Sequence, residues 1–215
     1  MRKSILLFIV ILLAFPCLVL AEIDKDFRFK LGSAAGAYRI EFDNIIGHGQ
    51  DGYGTNVQIE VVVNGRPKWD TTARFIMALG VFYRQHPGEI DDISIPIKMN
   101  YSAIGVSIAP GVRLRIDEAW NLEGKIEVGI GNANKVTLDS PGVDWNATKK
   151  DDYRSLSPIL GCYYLLENSA SQVGLEVGFQ KFWGDFEIWS NTGRWYPGTI
   201  SGKNYTANII YGIQF

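Results

Sequence analysis

Residues 204–215 read NYTANIIYGIQF, and from Tyr205 to Phe215 every second position is apolar: Tyr205, Ala207, Ile209, Tyr211, Ile213 and Phe215. Thr206, Asn208, Gly212 and Gln214 fill most of the places between. A period of two with one apolar face is the signature of a β-strand. Terminal residues fray unless neighbours tie them down, so a pattern that runs to Phe215 predicts a last strand held along its whole length by a sheet.

Working back from that strand, seven more alternating runs are found, at about 27–42, 53–63, 71–83, 101–116, 121–131, 153–166 and 172–183. The segments between them alternate in length. Those at 64–70, 117–120 and 167–171 are short, and those at 43–52, 84–100, 132–152 and 184–203 are long. An up-and-down antiparallel barrel of eight strands places all short turns at one end and all long connections at the other, with both termini at the short-turn end. In the run 101–116, Ile104, Val106, Ile108, Val112, Leu114 and Ile116 form one face, while Gly105, Ser107, Gly111, Arg113 and Arg115 form the other. Two runs fit less well. The first changes phase between FRFKL and AYRIEF, which predicts a bulge near Gly32–Gly36; the sixth, LSPILGCYYLL, is apolar on both faces.

The amino terminus, MRKSILLFIVILLAFPCLVLA, has two basic residues, a long apolar run and small residues at Val19 and Ala21, which predicts a signal peptide over 1–21 cleaved after Ala21. The domain is then 22–215. Without Arg2 and Lys3, the 21 basic residues become 19 against 23 acidic, a net charge of −4. This mild acidity excludes a nucleic-acid-binding face, which needs clustered basic residues. Loss of Cys17 leaves Cys162 alone, so no intramolecular disulfide is available to an exported chain.

Alternation alone does not say which face points inward; a soluble barrel would turn its apolar face in, and a membrane barrel would turn it to lipid. The glycines at 80, 105, 111, 129, 174, 178 and 212 lie on the charged face, where the interior of a narrow barrel is crowded. Trp69 and Trp120 sit beside short turns, and Trp183 and Tyr205 beside a long connection, as girdles at two interfaces require. These features favour the membrane. With the alternating run ending in Phe215, the chain resembles the small eight-stranded Gram-negative outer-membrane β-barrels, the group of the OmpA transmembrane domain, OmpX and the opacity proteins. The resemblance implies an all-β, eight-stranded antiparallel transmembrane barrel in the outer membrane and a monomer in contact with outer-membrane lipid. It also implies that Tyr205, Ile209, Tyr211, Ile213 and Phe215 form the signal read by the barrel-assembly machinery; because the last strand ends the chain, no appended peptidoglycan-binding domain of the OmpA kind is expected. An adhesion or opacity-like role is the expected function.

Glu60, Arg74, Arg113, Arg115, Glu123, Lys125, Glu127 and Glu176 fall on the polar face. A buried charge is costly without a partner, so they are expected to form a salt-bridged lumen, with Arg115 opposite Glu123 and Glu60 opposite Arg74. The alternatives are a small diffusion channel and a lipid A-modifying enzyme. His48 and His86 fall in predicted external connections, with Asp92 and Ser94 following His86, but no acid-base group is assembled by sequence spacing. Asp51, Glu89, Asp91 and Asp92 show no metal-ligand spacing. No catalytic, cofactor or metal residue is therefore assigned. Trp145, Trp189, Trp195 and Tyr196, in the two longest connections, are the candidates for binding a host or other surface.

Overall fold

The computed structural model describes residues 24–42, 45–51, 53–65, 72–90, 97–140, 143–146, 148–149, 152–167, 170–189 and 194–215. The signal peptide expected at 1–21 lies outside them. Among the described residues eleven strands make one antiparallel sheet: β1 (Lys25–Phe42), β2 (Ile45–Asp51), β3 (Gly54–Asn64), β4 (Ala73–Ile90), β5 (Ile97–Arg115), β6 (Trp120–Ser140), β7 (Val143–Asn146), β8 (Thr148–Lys149), β9 (Asp152–Leu165), β10 (Ser171–Trp189) and β11 (Trp195–Gln214).

The strands β1, β3, β4, β5, β6, β9, β10 and β11 pair in that order, and β11 returns to pair with β1, so the sheet closes. Phe215 and Lys25 exchange backbone hydrogen bonds of 2.9 and 3.0 Å at the seam. β2 and β3 lie end to end between β1 and β4. β7 and β8 continue the place of β9 outward, against β6 and β10. Counted this way the ring has eight positions, as the sequence predicts.

Around the lower part of the barrel the apolar face is outward. Phe27, Phe29, Leu31, Ile108, Val112, Ile126, Val128, Leu160, Leu175, Val177 and Ile209 are all exposed, while the residues alternating with them are buried or, at several glycines, half-buried. Such a belt is stable against hydrocarbon and not against water.

Two sequence expectations are corrected. The β1–β11 register runs without a slip from Asp26 opposite Gln214 to Phe42 opposite Gly198, so no bulge interrupts Gly32–Gly36. Even-numbered residues point inward throughout: Asp26, Arg28 and Lys30, then Ala34, Tyr38 and Ile40. The phase change is chemical. The slip occurs instead between β2 and β3, where β1 pairs Ala37 with Gln50 but Ala34 with Gly54.

The long connections are also largely strand. β10 and β11 stay in register out to Trp189 opposite Trp195, and β4 and β5 out to Ile90 opposite Ile97. Along these extensions the polarity inverts, with Phe186 and Ile200 buried and Asp185, Thr199 and Lys203 exposed. That is the pattern of a sheet standing in water. β11, with 20 residues, would reach about 50 Å along the axis at a rise of roughly 3.4 Å and a tilt of about 40°. An apolar band is about 25 Å tall, so roughly half of the barrel projects beyond the belt.

Candidate functional site

The lumen is filled in two layers. At the short-turn end, Arg28 grips Glu123 with both guanidinium tips, Nη1 donating to Oε2 at 2.7 Å and Nη2 to Oε1 at 2.6 Å. Nη2 also donates to Asp26 at 2.7 Å. Arg113 donates through Nε to Glu123 at 2.7 Å and through Nη2 to Asp26. Beside this group, Lys30 lies 2.8 Å from both Glu60 and Glu176. Lys125 reaches Glu176 at 2.5 Å and Glu60 at 3.4 Å. Tyr163 donates its hydroxyl to Glu176 and places its ring 4.1 Å from the Arg28 guanidinium carbon.

Further up within the same ionic layer, Arg84 pairs with Glu127 and donates to Ser155 at 2.7 Å, while Gln58 donates to Glu127 at 2.9 Å. The buried charges among the described residues are Asp26, Glu60, Glu123, Glu127 and Glu176 against Arg28, Lys30, Arg84, Arg113 and Lys125. The two signs balance. A charge buried out of water is tolerable only when paired and hydrogen-bonded, and here each has such a partner. The space left between Lys30, Arg84, Glu127 and Glu176 is a cavity of about 10 Å³, enough for one water at most.

Above the ions the lumen becomes apolar. Tyr38, Ile40, Phe82, Met99, Tyr101, Tyr153, Phe182, Phe186 and Ile200 form one buried cluster. His86 stacks on Phe182 with ring centres 4.2 Å apart and contacts Asn204 through Nδ1 at 3.0 Å. His86 is therefore inside the barrel on β4, not in an external loop; its buried neighbours are aromatic because this part of the barrel stands above the belt and needs a core of its own. His48 is exposed on β2. Asp92 and Ser94 lie outside the described residues, as do Asp91 and the side chains of Asp51 and Glu89.

Six of the expected lumen residues, Glu60, Arg113, Glu123, Lys125, Glu127 and Glu176, are buried there. Arg74 and Arg115 are not. Arg115 faces Asn121, and Glu123 faces Arg113. The turn is tighter than expected because Asp117 Oδ1 accepts both the Ala119 and Trp120 amides at 2.8 Å. That shift moves Arg115 out to the rim, where its Nε donates to the Asp117 carbonyl at 3.0 Å. Glu60 faces Gly80, and Arg74 reaches Asp24 at 3.1 Å. The sequence reading missed Asp26, Arg28, Lys30 and Arg84. The first three were legible in DFRFKL, where they alternate with Phe27, Phe29 and Leu31.

At the outer end, Trp189 and Trp195 meet edge to face across the β10–β11 ladder, 5.0 Å between ring centres, and both are exposed. Tyr196 is half-buried beside them. The β7 backbone places Trp145 opposite Leu138; its side chain lies outside the described residues.

No protein-family model and no curated protein matches the chain. Among solved structures it is similar to the outer membrane protein OprG from Pseudomonas aeruginosa, with a TM-score of 0.54 and 13% identity over 90% of this chain and 96% of that one. The fold is that of a small Gram-negative outer-membrane β-barrel. Neisserial surface protein A also aligns, at 14% identity and a TM-score of 0.39 over 88% of this chain and 97% of that one. Ail of Yersinia pestis aligns at 13% identity and 0.36, over 84% and 97%.

Proposed function

We propose that the chain is an outer-membrane barrel that acts by surface interaction through its projecting end, with the closed lumen serving as a rigid mount. The observation that carries this reading is the filling of the lumen by two unlike layers, a neutral ionic network and an aromatic core. A pore needs a continuous wet path, and an eight-position barrel has room for its own side chains and little else. A lipid-modifying centre needs an acid-base group that a substrate can reach, and His86 is enclosed by Phe182, Tyr101 and Tyr153. The reading is thus of a binding protein and not a catalyst. Exposed aromatics on a rigid support are the usual anchors of a recognition patch, and Trp189 and Trp195 form the outermost described pair of the β10–β11 ladder.

Replacing Trp189 and Trp195 together by Thr keeps strand propensity and removes the two rings. Cells carrying the double variant should adhere at least several-fold less to a host-cell or abiotic surface, while the barrel remains heat-modifiable on gels. Adhesion at the wild-type level with the barrel folded would overturn the proposal.

A further inference from the structure

On the outward face of β10 and β11, Lys181 stands directly opposite Lys203. Both side chains are exposed, and neither forms an ion pair among the described residues. Like charges opposite one another on an antiparallel pair, with Cβ atoms about 5 Å apart, destabilise a sheet. The pair is one part of a wider arrangement. Arg39 on β1 faces Ser201, two places from Lys203 and diagonal to it, and Arg154 on β9 faces Trp183, diagonal to Lys181. Four cations thus cross four adjacent strands. Arg39 and Arg154 have exposed carboxylate neighbours, Glu41 at 3.4 Å and Asp152 at 3.1 Å; among the described residues the two central lysines have none, Lys181 lying instead 4.8 Å from the centre of the Trp183 ring.

Their height on the barrel is defined by the belt. On β11 the outward residues from Phe215 to Tyr205 are apolar, and Lys203 is the next; on β10 the run from Val173 to Phe179 precedes Lys181. A membrane-crossing strand uses about 9 to 11 residues, so each lysine stands one step beyond the hydrocarbon, at the leaflet nearer the projecting end. Phe179 and Tyr205 mark the edge of the belt, their rings 5.6 Å apart. Immediately below them the wall carries a furrow of about 720 Å³. Pro110 and Pro158 flank Ile126 there, and Gly124 leaves a gap on the lipid side.

We infer that Lys181 and Lys203, flanked by Arg39 and Arg154, bind the phosphate of an outer-leaflet lipid headgroup, whose acyl chain lies in the furrow below. The inference rests on the outer-membrane reading given above. An anionic phosphate between the two lysines converts a repulsion into two charge-assisted contacts, and the furrow supplies apolar surface where such a lipid keeps its tail. An amphiphile uses both halves, whereas a soluble anion uses the cations alone.

The test uses the full folded barrel in phosphatidylcholine nanodiscs doped with bisphosphorylated lipid A, with bound lipid counted by native mass spectrometry. Wild type should retain lipid A in preference to phosphatidylcholine. The double variant Lys181→Gln, Lys203→Gln should lose roughly 10-fold or more of that retention, given what single basic residues contribute beside anionic lipid. Lys135→Gln, an exposed lysine on β6, should lose none, and Lys181→Arg with Lys203→Arg should keep it. Equal retention by the Gln pair and wild type, or displacement of lipid A by inorganic phosphate alone, overturns the inference. A wild-type barrel that inserts but shows no lipid preference defeats this inference only; a chain that does not insert as a barrel defeats the outer-membrane reading itself.

Discussion

Glu123 is the residue on which the lower lumen turns, because it takes both tips of Arg28 and the Nε of Arg113 while Lys125 lies 3.6 Å away. Replacing it by Gln keeps the shape and removes the charge, which leaves two buried guanidinium groups with Asp26 between them and Glu60 3.6 Å from Arg28. Breaking a buried pair from one side costs about 3 to 5 kcal/mol. Arg115, which the sequence reading placed opposite Glu123, is exposed at the rim and holds only a carbonyl. Its replacement by Gln should cost less than about 0.5 kcal/mol, the usual scale for surface changes. Urea unfolding of the barrel in detergent should separate the two variants clearly; equal midpoints would mean that the network does not stabilise the fold.

At the scale of strands, spacing was legible wherever a strand crosses the belt, because lipid outside and ions inside give the two faces opposite chemistry. Beyond the belt the same strand carries aromatic residues inside and polar ones outside, so continuous pairing reads in sequence as a break. Tyr38 and Ile40 on β1 and Phe186 and Ile200 on β10 and β11 show this inversion. Turn register was harder to read, since Asp117 shifts the β5–β6 pairing by two residues through a side-chain bond that spacing does not reveal. Glycine placement was legible, and its reason is now visible in Tyr163. A Cβ at Gly174 would stand 2.5 Å from Tyr163 Cδ1, and one at Gly161 would stand 2.7 Å from its Cε2. Adjacent strands therefore give up side chains to admit one ring. Gly174→Val should sharply reduce the folded, heat-modifiable fraction, and combining it with Tyr163→Ala should restore part of it. Equal folding of the single variant and wild type would show that the ring has room to move.

The two layers of the whole molecule close the lumen independently, and this independence has a measurable consequence. Phe182 stacks on His86 and lies 6.1 Å from the Tyr153 ring, so truncating it opens the upper core. The resulting cavity should destabilise the barrel by about 3 to 5 kcal/mol. Beneath it Arg84, Glu127 and Gln58 still span the lumen, and below them the second set of ion pairs remains tied. A simple plugged pore would begin to conduct once its plug was cut; a barrel sealed twice would not. In planar bilayers, wild type and Phe182→Ala should both show no stable porin-sized conductance, although the variant unfolds more easily. Steady large openings in the variant alone would make the aromatic layer the sole seal, and openings in wild type would return the diffusion channel to the front, because a wet path would then have to pass through charges that the structure holds in contact.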